Sequence, residues 1–129
     1  MATQNHLFTS LLRSIIRGEF EMVEYLVDLG VNINFNNDMA LLAAIKYTEI
    51  KQFEIVKFLV DHGAIGIDNA LVAAIKYTGE MNLIRYLVKQ GADIHANNNH
   101  TIKTALSRSN NKITYYLEQV GNNKKCSVH

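Results

Sequence analysis

At 129 residues the chain has room for one domain, and a net charge of +1 argues against both a strongly basic nucleic-acid binder and an acidic solvating protein. A single cysteine, Cys126, rules out an internal disulfide and fits a reducing compartment. No apolar run approaches the ~20 residues of a membrane span, and residues 1–5 lack a signal peptide's basic-then-apolar pattern, so an intracellular, cytoplasmic protein is expected.

In chain order, residues 9–17 predict a helix, about one residue in two being apolar. Leu7 and Phe8 precede it and are expected either to fold over an open end or to form an exposed patch. Met22, Val23, Leu26 and Val27 then follow the i, i+1, i+4, i+5 spacing of a broad helical stripe, which stops at Gly30. The Asn-rich piece 32–38 is turn material. Residues 39–48 predict the next helix, and 49–54 a turn of unusual length. Ile55, Val56, Leu59 and Val60 repeat the stripe and close at Gly63. A short loop over 63–68 leads to a helix over 69–78, and Leu83, Ile84, Leu87 and Val88 run on to Gly91. Residues 97–100 predict a turn and 101–108 a helix. In the last stripe Thr114 and Glu118 replace apolar residues before Gly121, as suits a capping helix. Residues 122–129 read as a flexible tail.

Within this succession the chain repeats itself. Residues 40–48, ALLAAIKYT, return at 70–78 as ALVAAIKYT. The phrase Val23-Glu24-Tyr25-Leu26-Val27-Asp28-Leu29-Gly30 recurs before Gly63 and Gly91, and in worn form before Gly121. Each unit reads as helix, tight turn, longer helix, glycine and polar loop. Such units cannot bury their apolar face alone and must stack. The expected core runs through Leu11, Ile15, Val23, Leu26, Leu41, Ala44, Ile45 and their counterparts, ending at Ala105, Leu106 and Leu117.

This pattern resembles the ankyrin-repeat family. Gly30-Val31-Asn32-Ile33-Asn34 and Gly91-Ala92-Asp93-Ile94-His95 match its post-helical motif, and Leu11, Leu41, Leu71 and Ile102 match its first leucine. The Thr-Pro-Leu-His turn of that family is missing, and the loops are too short for its β-hairpin fingers. The resemblance implies an all-α solenoid of about four helix-turn-helix repeats, near residues 7–37, 38–68, 69–99 and 100–121. Proline-free, asparagine-rich repeats of this kind look like those of giant DNA viruses such as mimivirus-like viruses. The polar fourth unit is expected to be a C-terminal end.

The resemblance places the first helix of each unit on a concave face. Arg13, Arg17, Lys46, Tyr47, Lys76, Tyr77 and Arg108 would then form a basic, aromatic strip for a partner protein, a host protein if the chain is viral. The plainer reading packs both tyrosines between helices and leaves the lysines solvated. Alternatives are a small ligand or oligonucleotide on the same Lys/Tyr ladder, disfavoured by the near-neutral charge, and self-assembly through the N-terminal end. The five histidines show no ligand spacing, so no metal is expected, and no cofactor loop or catalytic set is present. A Cys126 nucleophile would need a base beside it in a cleft. The resemblance also marks Asn34 and His95 as candidate hydroxylation positions, each eight residues after a leucine, Leu26 and Leu87.

Overall fold

The computed structural model describes residues 3–108 and 111–127, leaving aside the side chains of residues 97, 98 and 122–127. Among the described residues the fold is all-α, without a strand. The chain divides into two compact units, Met1–Gly66 and Ile67–His129.

In the first unit α1 (Gln4–Arg17) packs on α2 (Phe20–Asp28) and α3 (Met39–Lys46), α3 packs on α4 (Gln52–Asp61), and α4 on α2. Leu11, Ile15, Val23, Leu26, Leu41, Ala44, Ile45, Val56 and Leu59 are all buried, as their periodicity predicts. The first helix begins earlier than expected. Thr3 caps it by accepting from the His6 amide, and the helix carries Leu7 and Phe8 within it. Phe8 is 2% exposed and tilts against Phe35 at 5.4 Å, so it is core and not a surface patch. Gly18 ends α1 in the left-handed conformation, where an added Cβ would stand 2.6 Å from the Ile50 carbonyl oxygen. Only glycine suits that corner.

The long turn after α3 serves a purpose. A helix leaves its last carbonyls without partners. Gln52 reaches back from the start of α4, and its Nε2 donates to the carbonyls of Ala44, Ile45 and Thr48 at 3.2, 2.9 and 2.9 Å. The buried Thr48 hydroxyl donates to the Ile15 carbonyl at 2.6 Å, tying α3's exit to α1.

A second set of side chains clamps the loops. Gln4 donates to the Gly30 carbonyl and accepts from the Asn32 amide, at 3.1 and 2.8 Å. One repeat on, Asn34 donates to the Gly63 carbonyl and accepts from the Ile65 amide, both at 3.0 Å. In the second unit the Asp68 carboxylate accepts from the Asp93 amide at 2.7 Å. Each clamp grips the residue two places after a closing glycine. The turn 32–38 itself carries its own bonds, from Phe35 to Asn32 and from Asn37 to Asn34.

The second unit holds α5 (Ile67–Ala73), which runs into a π-helical turn (Ala74–Thr78), then α6 (Met81–Lys89), α7 (Ala96–Ser107) and α8 (Asn111–Ser127). The near-identical segments 40–48 and 70–78 therefore end differently. Thr48 turns outward to Ile15, whereas Thr78 donates to Ala74 in its own helix at 2.7 Å, and Gly79 stops the chain in the left-handed conformation. The residue after each segment differs as well: Gly79 takes the left-handed conformation without a Cβ penalty, which Glu49 would incur.

Three expectations in this unit are corrected. Helix α7 starts at Ala96 and runs through the predicted turn 97–100, and Leu106 is 58% exposed. The buried residues of α7 are Thr101, Thr104 and Ala105, which lie 30 residues after Leu71, Ala74 and Ile75. The repeat is kept without a slip. Aligning Ile102 with the first leucine shifted the unit by one residue and placed Leu106 in the core. The Thr104 hydroxyl is satisfied within its helix, donating to the His100 carbonyl at 2.8 Å. Helical backbone also continues past Gly121 to Ser127, where the sequence reading places a tail. The Cys126 side chain and residue 129 lie outside the described residues.

Candidate protein-interaction face

In the first unit α1 and α3 enclose a groove of about 380 Å³. Leu12 and Ile16 supply one wall, and Met39, Leu42 and Ala43 supply floor and opposite wall. Asn36 and Asp38 stand at the N-terminal end of α3, and Lys46 and Tyr47 at its C-terminal end. A helix of this length separates the two ends by about 12 Å. The walls arise from the repeat. Positions buried on α1 and α3 face the second helices, while Leu12 and Leu42, one step round the helix, are half-buried along the seam.

Ile16, Met39 and Tyr47 remain exposed around this groove, at 46%, 44% and 61%. Such side chains are costly to leave in water unless something covers them. The loop after α4 also touches the groove: a Cβ added at Gly66, which has φ +88°, would fall on the Asp38 side chain.

The expected strip is placed in part. Lys46 and Tyr47 line the groove, and Arg13 and Arg17 are exposed on α1 without lining it. In the second unit Lys76 lies over the Tyr77 ring, Nζ 5.4 Å from its centroid, and both are exposed. Tyr47 and Tyr77 are therefore not packed away between helices. Arg108 has a different task. Its Nη1 donates to the Lys76 carbonyl at 2.7 Å, pinning the end of α7 to the π-helical turn. Thr48 does the equivalent in the first unit. Both sit at the exit of a first helix and grip the previous first helix's last carbonyls.

Sequence reasoning missed the apolar half of the site. Ile16, Lys46, Lys76 and Leu106 are spaced at 30 residues and all exposed, so one register position of the repeat is apolar in the first and fourth repeats and basic in the second and third. Counting strictly by 30 finds that register position in the sequence. Of the candidate modification positions, Asn34 is half-buried with both amide atoms engaged in its clamp. His95 is exposed before α7, with Nδ1 2.8 Å from the Asn99 side-chain oxygen.

Among the described residues, no group of His, Cys, Asp and Glu is arranged to hold a metal ion, and no helix is long and apolar enough to cross a membrane.

Comparison with known proteins agrees with this architecture. A family model of three successive ankyrin repeats matches residues 2–69, and a single ankyrin-repeat model matches residues 68–99. Three relatives from Acanthamoeba polyphaga mimivirus carry names that describe them as ankyrin repeat proteins. One is 28% identical over 91 residues, covering 68% of this chain and 18% of the relative. A second is 30% identical over 101 residues, covering 72% and 26%. A third is 32% identical over 105 residues, covering 81% and 16%. The chain thus spans roughly a sixth to a quarter of the lengths of these relatives. No solved structure matches the chain. Repeats of this kind in general mediate protein–protein interaction. With ankyrin-repeat family models matching residues 2–99 and an all-α succession of helices in place, the chain belongs to the ankyrin-repeat family.

Proposed function

We propose that this chain is a non-catalytic interaction module that holds a partner protein on the face of its first helices. The α1/α3 groove is the main contact in the first unit, and the Lys76–Tyr77 pair is a contact in the second. One observation carries the reading: Ile16, Met39 and Tyr47 stay exposed around a groove of about 380 Å³ beside a lysine. A partner side chain entering the groove would take apolar surface out of water, and Tyr47 offers contact area at little entropic cost. The helices are already ordered, so binding need fix few side chains. Lys46 and Lys76 favour a partner segment with carboxylates beside its apolar anchor.

The mimivirus relatives motivate the further proposal that the partner is a host protein met in the cytoplasm. An oligonucleotide ladder is the weaker reading. The register position that would carry its cations reads Ile16, Lys46, Lys76, Leu106, and Arg108 is engaged with a backbone carbonyl.

Affinity capture from host-cell lysate tests the proposal, comparing the wild-type chain with Lys46→Ala/Tyr47→Ala and Lys76→Ala/Tyr77→Ala variants of verified helicity. A protein kept by the wild type and lost by the variants supports it. Equal capture by all three would contradict it. Hydroxylation of Asn34 or His95 stays a proposal alongside. An asparaginyl hydroxylase would have to draw Asn34 from its clamp, and an intact mass unchanged by the enzyme would dismiss it.

A further inference from the structure

The second helix of the first unit carries a surface that the first-helix face does not explain. Met22, Tyr25 and Leu29 are 46%, 57% and 52% exposed and follow one another at i, i+3, i+7, a single stripe along α2. Their counterparts one repeat on are Ile55, Phe58 and His62, each 33 residues later. That stripe on α4 is in use. Ile55 is fully buried, and Phe58 meets Phe20 of α2 edge-on at 5.5 Å and His62 at 4.0 Å. In other words, α4 lies against α2 through the face that α2 itself leaves open. Leu83 and Ile113, at the same register in the second unit, are likewise buried.

Charge narrows what can cover the stripe. Glu21, Glu24 and Asp28 form a parallel row displaced by one residue, all exposed, and α2 contains no lysine or arginine. Lys51 reaches this row only at its start, in a notch with Glu19 and Glu21. A second copy meeting it through the same α2 face would bring a second acidic row to the contact, and anionic lipid or nucleic acid would be repelled by it.

We infer that the Met22–Tyr25–Leu29 face of α2 is a docking surface for a basic amphipathic helix of a partner protein, packed as α4 packs on α2. Its apolar side chains meet Met22, Tyr25 and Leu29, one of them standing to Tyr25 as Phe20 stands to Phe58. Its lysines or arginines lie along Glu21, Glu24 and Asp28.

The test uses the full chain, isotope-labelled, with two synthetic helical peptides, one of leucine and lysine at helical spacing and one of leucine and glutamate. Fluorescence anisotropy reads affinity, and backbone amide shifts read location. The Leu/Lys peptide is expected to bind and shift the amides of α2. Tyr25→Ser/Leu29→Ser should weaken it about tenfold or more, as loss of central anchors does. Charge reversal of Glu21, Glu24 and Asp28 to lysine should exchange the preference for the Leu/Glu peptide. Binding should survive Lys46→Ala/Tyr47→Ala, which separates this surface from the groove. Equal binding of both peptides, shifts confined to α1 and α3, or no binding would overturn the inference. So would a wild-type chain that sediments as a dimer and becomes a 14.6 kDa monomer on Leu29→Ser.

Discussion

Replacing Gln52 probes how α3 is finished, and so how the groove's basic end is held. Its Nε2 serves carbonyls of Ala44, Ile45 and Thr48, all within 3.2 Å. Three acceptors around one end of the amide fix which end is nitrogen. In Gln52→Ala these carbonyls lose their donor. A buried acceptor left unpaired costs about 1–3 kcal/mol. The site is only part-buried, so water recovers some of this, and a net loss of about 2 kcal/mol is expected. At this chain length that corresponds to a fall of about 8 °C in melting temperature. Gln52→Glu keeps the shape but points oxygen at oxygen, and near neutral pH it should destabilise more than alanine does. Thermal and urea unfolding followed by far-ultraviolet circular dichroism reads both. A fall under about 2 °C in Gln52→Ala, the size of an ordinary surface change, would refute the reasoning. A Gln52→Glu variant as stable as wild type would refute it equally.

Three further outcomes are expected. Gly66→Ala should cost about 2 kcal/mol or more in urea unfolding, since it combines a left-handed φ with a Cβ driven into Asp38. Leu106→Ser should cost under about 1 kcal/mol, because the side chain is exposed, whereas Ala105→Leu should cost about 1–3 kcal/mol by overpacking; the reverse order would restore the one-residue shift. Burial holds the Tyr116 phenol above its usual value of 10.0, against the opposing pull of Arg85, which sits 5.6 Å from its ring. The folded chain therefore keeps this proton to higher pH than the unfolded chain does. The resulting stability is complete below about pH 10 and is lost as pH rises through the folded value. Tyr116→Phe has no such proton, so its melting temperature should fall less than wild type's on alkaline titration; parallel falls would contradict this.

The first three repeats were legible because 40–48 and 70–78 announce both the period and the buried positions. The fourth was legible only in part. Thr101 and Thr104 stand where earlier units have Leu71 and Ala74, so no apolar marker fixed the register, and Ile102 and Leu106 attracted it one residue forward. Phe8 was misplaced for a different reason. Thr3 and Gln4 start α1 early through a cap and a clamp on Gly30 and Asn32, and the clamp's bonds link residues far apart in sequence. The basic members of the candidate site followed from residue type, whereas its apolar members did not. Leu12, Ile16 and Leu42 each follow a buried position, Leu11, Ile15 and Leu41, and stand one step round the helix from it, so a reading of core positions passes over them. Arg108 shows the converse, a cation suited to a partner but occupied by the Lys76 carbonyl.

Site-specific photo-crosslinking tests the central claim most directly. A photoreactive phenylalanine analogue is placed at Tyr47, on the groove, or at Lys57, exposed on α4, and each chain is irradiated in host-cell lysate. A partner seated in the groove should give a discrete adduct from position 47 that disappears when Ile16 and Met39 are changed to serine, and none from position 57. An adduct from position 57 alone, or one from position 47 indifferent to those serines, would contradict it.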